Sequence, residues 1–307
     1  MWFVLAIVAL LCWSGSDLFS KIGCRDGSDR YNHLKMVMAV GVVMGLHAAF
    51  EIFVNGVEIS FAILLTYLPV SLLYIVSMAL GYLGLRYIEL SISSPICNAS
   101  GALVAVLAIL TGDEEYPAPV LIAIGLVCVG VVGLGIVEAR EDDELRAARQ
   151  QAGNYKYAKS WLALALPIAY CLLDAAGTFS DNLVLKKIAL LTENYEASAN
   201  VAYELTFLIA GFLCFLYAVV IKKDKLVFKA EIPKYVGAAF ETAGQFAYIF
   251  AIADDAHLAM SAPIISAYCA ASVVWSRIFL KEKLSWKHYL MIALVVVGIV
   301  VMGVYDV

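Results

Sequence analysis

The chain has 307 residues, 63% of them hydrophobic and 15% charged, with a mean hydropathy of +0.87. Soluble domains hold about 45–50% apolar and about 25% charged residues, so an aqueous fold is excluded and lipid is the expected solvent. The formal charge of −5 excludes an electrostatic nucleic-acid binder, and the seven cysteines contain no CxxC pair and read as small packing residues.

Residues 2–13 are apolar, but no basic segment precedes them and no cleavage site follows, so they open a first spanning helix rather than a secretory signal. Apolar runs of roughly 20 residues, long enough to cross a bilayer, lie near 2–22, 34–54, 61–83, 87–110 and 116–137. The longest hydrophilic stretch, from Glu138 to Lys159, follows as a polar linker. Five more runs lie near 160–187, 198–221, 233–252, 256–280 and 286–305. The expected fold class is therefore all-α integral membrane, with ten transmembrane helices.

The two sets of five resemble each other. At a shift of 168 residues, SSPICNASGALVAV from Ser93 falls on SAPIISAYCAASVV from Ser261, and about 15 of 48 positions from Leu90 onward are identical. Pro95 meets Pro263, Glu114 meets Glu282, Gly130 meets Gly298 and Gly135 meets Gly303. Asn32 and Asn200 obey the same shift; Trp13 and Lys21 match Phe179 and Lys187 at a shift of 166. Because five is odd, the second copy enters the membrane from the opposite side. The expected organisation is a first five-helix repeat over 1–137, the linker over 138–159, and an inverted second repeat over 160–307. Secondary transporters use this arrangement, with the solute site between the halves near the midplane.

Of the 21 Lys and Arg residues, only Lys186 and Lys187 fall on the side shared by both termini. The positive-inside rule then predicts a plasma or inner membrane protein whose charge-rich loops are cytoplasmic and whose termini are external.

Charged side chains inside hydrocarbon are costly, so each one asks for a reason. Trp13, Asp17 and Lys21 share one face of the first run at i, i+4 and i+8, so Asp17 and Lys21 can pair. Tyr170, Asp174, Thr178 and Asp181 form a polar stripe in the sixth. Glu204 stands near the start of the seventh, after Asn200 and Tyr203, and Glu241 near the middle of the eighth, with Gln245 and Tyr248 on its face. A lone carboxyl such as Glu241 is a candidate to take up and release a proton, although a structural ion pair is an equal reading for Asp17 and Glu204. His47 and Glu51, four apart, read as a polar pair; with no third ligand they call for no metal. Gly41 and Gly45 form a GxxxG that reads as close helix packing. Tyr74, Tyr248 and Tyr268 sit within runs, where aromatic faces either pack in the core or attract an organic cation. Asn98 lies beside Pro95, which with Pro263 interrupts backbone bonding as discontinuous transporter helices do.

The two-half pattern, the Trp13–Lys21 run and the text Phe279-Leu280-x-Glu282-x-Leu284 resemble the EamA type of the drug/metabolite transporter superfamily. In the first half LTGDEEY replaces that last motif. The resemblance implies a carrier of amino acids, other metabolites or drugs, often outward and proton-coupled, with no cofactor. The excess of intramembrane acids leaves the expected cavity net negative and favours a cationic or zwitterionic solute. Asp17 and Glu241 are the expected proton-exchanging groups, with Glu204, Asp174, Asp181, Asn98, Trp13, Tyr74, Tyr248 and Tyr268 the further solute-binding candidates. The expected partners are the lipid bilayer, a small-molecule substrate and protons; the sequence leaves the oligomeric state open. The rival readings are a multidrug or organic-cation exporter, a channel, and a membrane receptor that moves nothing; an enzyme is disfavoured because no nucleophile, base and metal set converges.

Overall fold

The computed structural model describes residues 1–25, 29–87, 90–111, 116–140, 161–281 and 284–305. Most of the expected linker, together with Glu114 and Glu282, lies outside the described residues.

A backbone in lipid has no water to satisfy its N–H and C=O groups, so apolar runs of this length become helices. In chain order they are α1 (Trp2–Cys24), α2 (Asn32–Phe53), α3 (Phe61–Leu85), α4 (Leu90–Cys97), α5 (Ser100–Thr111) and α6 (Ala118–Ala139). The second half contains α7 (Trp161–Ile188), α8 (Tyr195–Phe215), α9 (Phe228–Ile252), α10 (Leu258–Ser266), α11 (Tyr268–Trp275) and α12 (Trp286–Tyr305). π-Helical turns extend α8 over Leu216–Ile221 and α11 over Ser276–Leu280.

Among the described residues, eight helical spans are long and apolar enough to cross a membrane, against the ten counted in the sequence. The two that fall short of that measure are α7 and α9, of 28 and 25 residues. For α9 the reason is its charge; for α7 it is charge together with residues 161–164, which lie outside the described side chains. Asp174, Asp181, Lys186 and Lys187 interrupt one, and Glu231, Lys234 and Glu241 the other. Both helices pack inside the bundle, α7 along α3 and α9 along α1 and α2, where neighbours bury Asp181, Glu231 and Lys234; Lys186 and Lys187 stand exposed at the end of α7.

Packing between the halves is reciprocal. The α1–α9 contact is answered by α3–α7, and α2–α9 by α8–α3, while α2 meets α8 and α6 meets α12. Gly41 and Gly211 bring α2 and α8 together: a Cβ on Gly41 would stand 2.7 Å from Phe207 O, and one on Gly211 would stand 3.2 Å from Val37 O. The GxxxG glycines therefore lie at a helix crossing, with Gly45 against Leu208.

Each half also contains one broken helix. Pro95 lies in α4, which stops at Cys97 before α5 starts at Ser100; Pro263 lies in α10, which stops at Ser266 before α11 starts at Tyr268. Proline has no N–H to give and crowds the preceding turn, so a helix stops or bends near it. The breaks are one shift of 168 apart, and α5 packs on α10 and α4 on α11. The approach is close enough that a Cβ on Gly101 would collide with the Ser266 hydroxyl.

At one end of the bundle the loops after α1, α3 and α8 meet. Lys35 Nζ reaches Asp29 Oδ2 at 2.8 Å, Asp224 Oδ2 at 3.0 Å and Lys225 O at 2.7 Å, and Arg86 donates to Asp29 O and Arg30 O. At the other end Ser198 donates to Glu58 O at 2.7 Å, Tyr116 to Ala256 O at 3.0 Å, and Trp2 stacks on His257. These loops thus gather at two ends of the bundle.

Candidate functional site

The site starts from α1. Its apolar run places Trp13 and Asp17 on the face that packs antiparallel along α9, where Ser16 Oγ donates to Glu241 Oε2 at 2.8 Å. Asp17 Oδ2 accepts from Ser94 Oγ at 2.5 Å and from Ser272 Oγ at 2.8 Å, and Asp174 Oδ2 on α7 accepts from Ser100 Oγ at 2.7 Å. A hydrogen bond from a hydroxyl to a carboxylate is short and charge-assisted, which offsets part of the cost of holding the acid away from water. Ser94, Ser100 and Ser272 all sit on the broken helices, so the breaks bring the donors to the acids. Lys21, four residues after Asp17, donates to Leu85 O at 2.8 Å.

Between these groups lies a cavity of about 80 Å³. Asp17, Asp174 and Glu241 all line it, and no Lys, Arg or His is among its described lining residues. Seven aromatic rings share the wall with serines and small or aliphatic side chains. Trp13 packs 5.1 Å from Tyr248 and 5.8 Å from Tyr268, ring centre to ring centre, and Tyr74 stands 5.9 Å from Tyr203. Such faces and carboxylates together suit a cationic guest, which gains from the ring quadrupoles and from the negative charge.

Of the ten candidates from the sequence, the structure brings Asp17, Asp174, Glu241, Asn98, Trp13, Tyr74, Tyr248 and Tyr268 to the cavity wall. Asn98 donates to Ser94 O at 2.8 Å and so closes the end of α4 beside the Ser94–Asp17 bond. The other two stand elsewhere. Asp181 is fully buried behind the aromatic wall, accepting from Tyr67 at 2.7 Å and from Tyr74 at 3.3 Å, while Tyr74 also bonds Thr178 and Tyr248. Glu204 is fully buried between α8 and α2, bonded to His47 Nδ1 at 2.8 Å and Asn200 Nδ2 at 3.0 Å. His47 Nε2 lies 3.5 Å from Glu51, so the expected His47–Glu51 pair is part of a larger cluster that includes Glu204.

Sequence reasoning missed Tyr82, Cys97 and the donor serines Ser100 and Ser272. The serines had a usable signal: Ser100 and Ser272 follow the matched prolines by five and nine residues, just past the breaks. Tyr82 had none, since a tyrosine three residues from a helix end reads as an interface anchor.

Residues 186–304 match the model of the EamA-like transporter family. No curated protein sequence matches the chain. A protein of known crystal structure shares its fold, with a TM-score of 0.63 at 13% identity, over 98% of this chain and 96% of that one. Residues 186–304 are thus similar to the EamA-like transporter family, and the apolar helices that run through the chain mark it as a multi-pass membrane protein.

Proposed function

We propose that the chain is a secondary-active transporter of a small polar metabolite, proton-coupled and selective for a cationic or zwitterionic solute. One observation carries the reading: three carboxylates, Asp17, Asp174 and Glu241, line one cavity with no basic residue on its described wall. A cation entering this space neutralises charge that the protein has buried at a cost, and a proton does the same when the cation leaves. Exchange of one for the other keeps the cavity at the same charge throughout the cycle.

Ten spans in two inverted five-helix repeats, 1–137 and 160–307, give this exchange its mechanics. The reciprocal helix contacts and the matched breaks support that organisation, which lets the halves swap conformations and open the site to each side in turn. Charge-rich loops in the cytoplasm and both termini outside complete the topology.

The aromatic wall favours a second reading within the same class, an exporter of many organic cations, because stacking on Trp13, Tyr248 and Tyr268 tolerates varied shapes. Flux driven by a pH gradient in proteoliposomes, measured over a panel of organic cations, amino acids and sugars, separates the two by substrate range. Saturable flux that falls to background in Glu241→Gln supports proton-coupled carriage; unsaturable flux, or none across the panel, overturns it in favour of a channel or a receptor.

A further inference from the structure

Besides Trp13 Nε1, which faces Glu241, three buried polar groups on the cavity wall, Gln245 Nε2, Tyr82 Oη and Ser20 Oγ, have no hydrogen-bond partner among the described residues. Their residues are only 3%, 6% and 1% exposed. A buried donor left unpaired is unfavourable and rare in native structures, so three around one cavity point to a guest that completes them. Their positions are specific. Gln245 is one helical turn, about 6 Å of rise, beyond Glu241 on α9, and Ser20 is one turn beyond Ser16, the residue that bonds Glu241, on α1. Because α1 and α9 run antiparallel, the two groups stand on opposite sides of the Ser16–Glu241 bond.

The acids are arranged differently. Asp17 and Asp174 each use Oδ2 for their serine bonds, and Oδ1 of each takes no hydrogen bond from the described residues. These oxygens are suited to a cationic N–H. The amide and hydroxyl groups are suited to an acceptor. That acceptor carries no negative charge, because a ligand carboxylate would face three carboxylates with no basic residue on the described wall to balance it.

Resting on the cation reading above, we infer that the solute is an organic ammonium bearing an uncharged hydrogen-bond acceptor a few bonds from its nitrogen, as in an amino alcohol or amino amide, and that Gln245, with Tyr82 and Ser20, selects for that acceptor. With a donor on either side of the acids, the acceptor meets a partner whichever way the ligand lies. Gln245 is then a specificity residue and the acids are the affinity residues.

The test uses four probes of one length: n-propylammonium, 3-aminopropan-1-ol, β-alaninamide and β-alanine. Their binding to the full chain in lipid nanodiscs is read by calorimetry. The alcohol and the amide bind at least tenfold more tightly than n-propylammonium, and β-alanine binds most weakly. Gln245→Leu brings the alcohol and amide to within about twofold of n-propylammonium, whose own affinity is unchanged. Tyr82→Phe, which removes a single hydroxyl and keeps the ring, narrows the same gap and serves where the leucine variant does not fold. If n-propylammonium binds as well as the alcohol and the amide, or the gap survives both substitutions, the inference is wrong while the cation reading stands. Tightest binding of β-alanine overturns the uncharged acceptor. If none of the four binds, the cation reading fails and this inference with it.

Discussion

Gly130 and Gly298 occupy the same place on opposite sides of one helix contact. A Cβ on Gly130 would stand 2.5 Å from Val295 Cγ2 and 2.9 Å from Met291 O; one on Gly298 would stand 2.6 Å from Val127 Cγ2 and 2.7 Å from Ala123 O. Val127 and Val295, and Ala123 and Met291, are themselves 168 residues apart. The contact between α6 and α12 is thus isologous, the geometry of a two-fold dimer interface within one chain. Alanine at either glycine forces a backbone carbonyl away and costs about 1–3 kcal/mol. The double variant costs less than the sum of the singles by about 0.5 kcal/mol or more, since the first substitution has already moved the helices apart. Denaturation of the three variants in detergent measures both effects; strict additivity contradicts the shared contact.

Asp181 predicts a loss of stability without loss of binding. It is fully buried, and Tyr67, also fully buried, donates to it at 2.7 Å without lining the cavity. Tyr67→Phe leaves that carboxyl short of one donor and costs about 1–3 kcal/mol. Solute affinity of the folded variant stays at the wild-type value, which parallel melting and binding curves check.

The Glu204 cluster is separable from the cavity in the same way. Glu204→Ala strands His47 between α2 and α8 and costs about 2 kcal/mol, the scale of a charged hydrogen bond broken inside a protein. Flux per folded molecule in proteoliposomes is unchanged. A variant of full stability and no flux would instead place Glu204 in the transport cycle.

The loop pair Lys35–Asp224 carries a pH signature. Burial pushes the Asp224 carboxyl up, but its hydrogen bond to the Lys35 ammonium and that charge outweigh burial and hold it below the ordinary aspartate range. A carboxyl lowered in the folded state contributes stability above its unfolded value of about 3.9 and loses it as pH falls through the folded value. Asp224→Asn is therefore less stable than wild type at neutral pH, and the difference shrinks in acid below about pH 4. Melting temperatures of both proteins between neutral pH and pH 3 show whether the gap closes.

Charge in an apolar run was the signal that led to most of the cavity from sequence. Asp17, Asp174 and Glu241 stood out because hydrocarbon penalises them, and Trp13 and Tyr248 because they share their faces. Asp181 and Glu204 carried the same signal and stand outside the cavity. Their partners, Tyr67 for one and His47 for the other, do not line the cavity, and no spacing along a single helix reveals a pairing 114 or 157 residues away. The broken helices were legible because Pro95 and Pro263 repeat at the shift; of the serines that the breaks present to the acids, Ser100 and Ser272 were passed over, since a serine in a helix is as readily bonded to its own backbone. The match of Trp13 and Lys21 with Phe179 and Lys187 did not carry into environment: Lys21 is buried and Lys187 is exposed.

The isologous seam has a consequence for how such a chain diverges. Bulk gained at Gly130 has to be given up at Val295 or Met291, and bulk gained at Gly298 at Val127 or Ala123, so these positions drift only in compensating sets. The carboxylates are under no such bond. At the shift of 166 that aligns the first helix of each half, Asp17 and Asp174 correspond to Leu183 and Val8, and at 168 Glu241 corresponds to Leu73, none of them acidic. Each acid stands in one half alone, so its exchange calls for no matching change in the other. On the proposed carrier reading, a seam that resists change and a wall that accepts it one side chain at a time would let the solute change while the frame stays the same.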